Sequence, residues 1–216
     1  MSVPDGFEVT IAAAPPLVGY PMMACLDDLG RLYIAESDGR NLTSKAEIEK
    51  ELPRFVRRLV DVDGDGVYDK STIFADKMTM PEGGLWHNGA LYIISPPYLW
   101  RLEDTNDDGV ADKREKVIGY MEFDGRANQH GPYLGPNGRF YFSGGHFGYQ
   151  FKGTDGSETG SSRAAGPRRR TRTLSERWPT VARALERAAA AGRPARRKRA
   201  RWQCPTSTSV RSRPRS

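Results

Sequence analysis

The sequence predicts an all-β protein, and repeated short patterns carry this prediction. A turn glycine followed by a short apolar strand with a tyrosine recurs, beginning at Gly30, Gly89 and Gly138. Two acidic stretches, residues 61–69 and 104–112, each lie between β-prone runs. A repeat of roughly 50 residues built from short strands is typical of a β-propeller, in which each blade is a four-stranded sheet.

The repeated pattern accounts for about three blades, whereas a propeller closes with about four to eight. An open arc of this size would leave an edge strand and an apolar face uncovered. We therefore predict that residues 1–156 form an incomplete propeller.

Two further elements are predicted near the N-terminus. Apolar and polar residues alternate over residues 7–11, as they do in a half-buried strand. Residues 44–52 favour one or two helical turns, since Ser44 and Glu47 have the spacing of a capping box and Pro53 would end the helix.

Both acidic stretches have the spacing of a loop that wraps a hard cation. Oxygen-bearing side chains occupy loop positions 1, 3, 5 and 9, and glycine occupies position 6. Position 7 would offer a backbone carbonyl, and position 12 of the second loop offers a carboxylate, whereas the first loop has Thr72 there. The predicted ligands are Asp61, Asp63, Asp65, Val67 and Asp69 in the first loop, and Asp104, Asn106, Asp108, Val110, Asp112 and Glu115 in the second.

The alternative interpretation is a pair of solvated turns without metal, because Asp, Asn and Gly dominate turns for ordinary backbone reasons. Two copies in one register favour cation binding. Ca²⁺ fits better than Mg²⁺, which demands a tight octahedral shell and keeps its waters. The β-prone flanks predict calcium turns between strands and not helix-loop-helix hands.

The C-terminal part has a different composition from the rest. Residues 1–156 carry a net negative charge, whereas residues 157–216 are rich in Arg, Ala and Pro and strongly positive. One interpretation is a basic tail that binds nucleic acid. The other, which we favour, is an out-of-frame translation of GC-rich codons, giving an irregular segment with a helix at most over residues 174–191.

Cysteine usage and hydropathy exclude several classes of protein. Cys25 and Cys204 are the only cysteines, which argues against a disulfide framework, and the sequence contains no CxxC metal motif and no CxxCH haem motif. No stretch approaches the roughly 18 apolar residues of a membrane span. No signal peptide is visible at the N-terminus.

Seven short motifs follow one another along the N-terminal part of the chain. They are residues 4–9 (PDGFEV), 21–24 (PMMA), 30–33 (GRLY), 59–66 (LVDVDGDG), 72–76 (TIFAD), 99–104 (LWRLED) and 130–138 (HGPYLGPNG). This ordered set resembles the membrane-bound dehydrogenase propeller family of planctomycete-type bacteria, distant relatives of the soluble glucose/sorbosone dehydrogenases. The resemblance covers about residues 4–152 and none of the tail.

The resemblance implies a six-bladed propeller, a periplasmic or extracellular location, and oxidation of a sugar or alcohol with pyrroloquinoline quinone (PQQ). His130 occupies a place similar to the general base of the glucose dehydrogenases, although its spacing to the following Pro-Asn-Gly turn is shorter. The Arg and Lys residues that contact the cofactor in those relatives would lie in blades that this chain lacks. The haem domain of full members is also absent.

The histidines have both chemical and structural interpretations. His130 could accept a proton from a substrate hydroxyl, since imidazole does so near neutral pH, or it could bond a turn carbonyl. His146, among glycines, could line a pocket, whereas His87, Trp86 and Trp100 are expected to pack within the sheets.

Three hypotheses follow. The first is a calcium-stabilised propeller related to quinone-dependent dehydrogenases, without turnover in this chain. The second is a non-catalytic propeller that binds polysaccharide or protein. The third, which we disfavour, is nucleic-acid binding through the tail.

Overall fold

The computed structural model describes residues 3–121, 123, 129–143, 148–153 and 158–162. Strands dominate these residues, so the all-β prediction is confirmed. The elements in chain order are β1 (Tyr20–Leu26), β2 (Leu32–Ser37), α1 (Lys45–Glu51), β3 (Arg54–Val60), β4 (Lys70–Met78), β5 (Gly84–His87), β6 (Ala90–Ser95), β7 (Tyr98–Glu103), β8 (Lys113–Met121), β9 (His130–Leu134), β10 (Phe140–Ser143), β11 (Gly148–Gly153) and β12 (Glu158–Ser162).

The strands form three antiparallel sheets in chain order. Sheet 1 is the meander β1-β2-β3-β4, and sheet 2 contains the meander β5-β6-β7-β8, extended beyond β8 by β11 and β12. Sheet 3 is the hairpin β9-β10. No sheet closes on itself within the described ranges, and the number of blades stays a prediction. The two acidic stretches connect β3 to β4 and β7 to β8, so each joins the third and fourth strands of its meander.

Sheets 1 and 2 pack face to face through a continuous apolar core. Tyr33 on β2 makes an edge-to-face contact with Phe74 on β4, with ring centroids 4.9 Å apart, and stacks on Trp86 of β5 at 5.1 Å. The fully or nearly fully buried residues of this core are Tyr33, Val56, Phe74, Ala75, Met78, Leu91, Ile93, Leu102 and Ala111. Burial of this apolar surface is the main force that holds the two sheets together.

Sheet 2 is covered on its other face by sheet 3. Every residue of β6 is buried. Leu91 and Ile93 point toward sheet 1, whereas Tyr92 and Ile94 pack in a second core with Phe140 of sheet 3. This explains why the Leu-Tyr-Ile-Ile run is apolar throughout, since a strand buried on both faces has no solvent side. The first strands also meet in turn, β1 against β5 and β5 against β9.

The predicted helix is confirmed as α1, but its predicted capping hydrogen bond is not formed. Ser44 is the N-cap residue with an extended backbone, and its side chain makes no cap hydrogen bond. Leu52, with φ 47°, ends the helix one residue before Pro53. Ile48 is completely buried against Met80 and Phe123, so tertiary packing holds this short helix in place.

The predicted strand over residues 7–11 is wrong. The segment is irregular, and the side chains of Phe7 and Ile11 are 73% and 75% exposed. The alternation is present, but no described strand pairs with the segment, so its apolar side chains have no sheet to cover. The following residues do pack, with Val18 buried against Ile34 and Leu59 on the outer face of sheet 1.

Candidate cation-binding loops

The first acidic loop, residues 61–69, folds around its own carboxylates. The amide of Gly66 donates to Asp61 Oδ2 at 2.9 Å, and the amide of Val67 donates to Asp65 Oδ1 at 2.7 Å. The loop is closed by the amide of Val62, which donates to Asp69 Oδ2 at 2.8 Å. These bonds orient the side chains of positions 1, 5 and 9 toward the interior of the turn.

The second loop, residues 104–112, repeats the same hydrogen bonds at the same positions. The amide of Gly109 donates to Asp104 Oδ2 at 2.8 Å, that of Val110 to Asp108 Oδ1 at 2.8 Å, and that of Thr105 to Asp112 Oδ2 at 3.2 Å. Identical spacing in the sequence has therefore produced two copies of one local structure.

The glycine at position 6 has a backbone reason in both loops. Gly66 has φ +90° and Gly109 has φ +99°, a region that side chains disfavour strongly. Position 4 is also left-handed, with Gly64 in the first loop and Asp107, at φ +60°, in the second. Aspartate tolerates this conformation better than most residues.

In the first loop the carboxylates converge on one point. One oxygen from each of Asp61, Asp63 and Asp65 lies within 4.8 Å of the others. Calcium binds oxygen at about 2.3–2.6 Å, so two oxygens around one ion lie at most roughly 5 Å apart. The hard oxygen donors and their separation therefore fit a single Ca²⁺. In the second loop the corresponding donors are Asp104, Asn106 and Asp108.

The two loops differ in their charged neighbours. Arg58 of sheet 1 donates through Nη1 to Asp104 Oδ2 at 3.0 Å, and both side chains are almost completely buried. Asp107 accepts from Arg31 at 2.6 Å, a hydrogen bond that lowers the pKa of this carboxyl. In the part of the chain that the structure describes, no arginine or lysine pairs with Asp61, Asp63 or Asp65 of the first loop.

The residues at position 12 lie outside the loops. Glu115 is exposed on β8, where it is the cross-strand neighbour of Arg101 on β7 in the backbone register. Thr72 on β4 is the cross-strand partner of Arg58 and lies beneath the second loop, close to Gly109. In the first loop the structure thus brings together the carboxylates of positions 1, 3 and 5. The residues at position 12 of both loops lie on strands instead.

His130 is at the start of β9 with its side chain half exposed. Its Nδ1 lies 4.0 Å from Oε2 of Glu82, whose side chain is 15% exposed. Glu82, in the segment between β4 and β5, was not predicted, because nothing local in the sequence links it to a histidine on β9. His87 packs its ring edge-on against Phe140 at 5.5 Å. His146, residues 174–191 and the rest of the tail after Ser162 lie outside the described residues.

The described residues include neither a cysteine that ionises near neutral pH nor a membrane-spanning helix. Burial, together with the nearby charge of Asp27, raises the pKa of the Cys25 thiol to about 12, so Cys25 is not a thiolate nucleophile near neutral pH. Among the described residues, no helix has the length and apolar character that crossing a membrane requires.

Comparison with known proteins identifies a family but no activity. A search of curated proteins finds no match. The model of a family described as a domain of unknown function, DUF7133, matches residues 1–185, which include both acidic loops, His130 and part of the basic segment. The chain therefore belongs to the DUF7133 family of unknown function.

Proposed function

We propose that this chain is part of a β-propeller that binds calcium through the first of its two acidic loops. The arrangement of the sheets supports the propeller. Successive meanders follow one another in chain order, stack face to face, and bring their first strands β1, β5 and β9 together in turn. Four-stranded blades around a common axis have this order. The resemblance to the quinone-dependent dehydrogenase propellers favours a ring of six blades.

The observation that carries the calcium proposal is the convergence of Asp61, Asp63 and Asp65 in the first loop. Three carboxylates this close repel one another in the absence of a cation. Backbone amides at positions 6 and 7 already orient two of them, so little ordering is left for an ion to impose. An exposed oxygen loop of this kind suits calcium, which accepts variable geometry, better than Mg²⁺.

We expect calorimetric titration with CaCl₂ to detect calcium binding that depends on the first loop. The change Asp63→Asn should weaken this binding at least about tenfold, because it removes one of three converging negative charges. The exposed Asp5, outside both loops, offers a matched control, and Asp5→Asn should leave the affinity unchanged. Wild-type protein that takes up no calcium at millimolar concentration would contradict the proposal.

A second candidate function, oxidation of a sugar or alcohol, is favoured by the pairing of His130 with Glu82. A carboxylate near Nδ1 would stabilise the imidazolium that forms when His130 accepts a hydroxyl proton. The same carboxylate repels an anionic cofactor, however, and PQQ carries carboxylates of its own. Among the described residues near His130, Glu82 therefore disfavours the binding of PQQ.

Accordingly, we expect a redox-dye assay with added PQQ and Ca²⁺ to give no turnover on sugars or alcohols. The assay should be run on wild-type protein beside His130→Asn and the matched change His87→Asn. Turnover that His130→Asn abolishes and His87→Asn preserves would show that the propeller is an enzyme.

If the assay gives no turnover, we propose that the propeller is non-catalytic and binds polysaccharide or protein. We propose a periplasmic or extracellular location, which the family resemblance implies. The millimolar calcium of extracellular compartments would saturate even a weak loop.

A further inference from the structure

A chain of alternating charges crosses the interface between sheets 1 and 2. Arg31 bonds Asp27 in its own turn at 2.5 Å and reaches Asp107 of the second loop at 2.6 Å. Arg58 lies 3.4 Å from the same Asp107 oxygen and 3.0 Å from Asp104. Arg58 lies on β3 and Arg31 immediately precedes β2, whereas Asp104 and Asp107 belong to the loop of sheet 2.

Arg58 is built into the loop and does not merely lie near it. Its side chain is 6% exposed, and that of Asp104 is 5% exposed. A Cβ placed on Gly109, at position 6 of the loop, would lie 2.6 Å from Arg58 Nη2. The guanidinium therefore packs directly against the loop backbone, and the side-chain hydrogen bonds described for Arg58 go to Asp104 and Asp107 of this loop.

A buried carboxylate is stable only when a positive charge or several donors compensate it. Asp104 has Arg58 as its compensating charge. Within the described part of the chain, Asp61 at the same position of the first loop accepts only from the amides of Gly64 and Gly66. The two loops also differ at position 4. Asp107 of the second loop accepts hydrogen bonds from the arginines, whereas Gly64 of the first loop has no side chain to do so.

We propose that Arg58 and Arg31 are the built-in counter-ions of the second acidic loop, so that this loop fastens sheet 2 to sheet 1 without a divalent cation while the first loop alone takes up calcium. The calcium part rests on the proposed function, and the arginine part does not. A divalent ion ligated by Asp104 would stand beside the buried guanidinium, and their mutual repulsion would lower its affinity.

The test compares calcium stoichiometry and thermal stability in Arg58→Met, which removes the charge and keeps an apolar side chain of similar length. By calorimetry, wild-type protein should bind about one calcium ion per chain and the variant about two, because Asp104 is then free to ligate. In EDTA the variant's Tm should fall by more than about 5 °C, since a buried carboxylate has lost its partner.

A neighbouring arginine provides the matched control. Arg57 lies on the same strand and pairs at 2.8 Å with Glu36, a buried carboxylate that belongs to neither loop. Arg57→Met also breaks a buried pair, but its calcium stoichiometry should stay at the wild-type value. A general loss of stability therefore cannot imitate the predicted change.

Each remaining outcome decides one part of the proposal. Two calcium ions in wild-type protein, or no increase in the number of bound ions in Arg58→Met, would overturn it. Absence of calcium binding in wild-type and variant alike would overturn the calcium function, and the Tm in EDTA would then still decide the arginine part: an unchanged Tm would overturn it. If Arg58→Met does not fold, Arg58→Lys keeps the positive charge and should still bind about one ion, and a second ion would overturn the proposal.

Discussion

Phe74→Ala is expected to lower the free energy of unfolding by about 3–5 kcal/mol, the usual cost of truncating a fully buried aromatic side chain. Phe74 has no exposed surface, and its ring contacts Tyr33 in the core between sheets 1 and 2. Its removal would leave a cavity at the place where the two sheets are pressed together. Urea denaturation at fixed calcium concentration measures the loss.

The adjacent residue on β4 serves as the control. Ile73 is 45% exposed and lies on the opposite face of the strand, so Ile73→Ala should cost less than about 1 kcal/mol. Equal losses at the two positions would mean that sheet 1 does not present the Phe74 face to sheet 2, and the face-to-face stacking that supports the propeller would be wrong.

The strands could be predicted because their signal is local. Each repeated motif begins with a turn glycine, and Gly30, Gly89 and Gly138 have φ values of 78°, 78° and 74°. The same conformational need recurs in the same place, before a run of residues that suits a strand. The acidic loops were predictable for the same reason, since positions 1 to 9 bond one another through the backbone of a single turn.

Features that depend on distant parts of the chain could not be predicted. The alternation over residues 7–11 indicates that one face of the segment is apolar, but it does not indicate whether a sheet is available to cover that face. Glu115 has the right spacing for a ligand, yet its position follows from pairing with Arg101. The bond between Arg58 and Asp104 joins residues of different sheets, and Arg58 carries no local pattern that distinguishes it from Arg57.

The change Gly109→Ala is expected to destabilise the protein by about 3 kcal/mol or more, and Gly66→Ala by only about 1–2 kcal/mol. Both glycines occupy position 6 of their loop with similar positive φ, so both changes carry the same backbone strain. They differ in what a Cβ would contact: nothing lies within 4 Å at Gly66, whereas Arg58 Nη2 lies at 2.6 Å at Gly109.

The difference in destabilisation between the two variants therefore measures the cost of displacing Arg58 and not the cost of the backbone conformation. The end of an exposed arginine would move away from a new methyl group at little cost. Arg58 is buried and bonded to Asp104, so moving it breaks a buried ion pair and leaves both charges poorly compensated. Equal losses in urea denaturation with EDTA present would show that Arg58 moves freely and that the second loop is not held by its arginine.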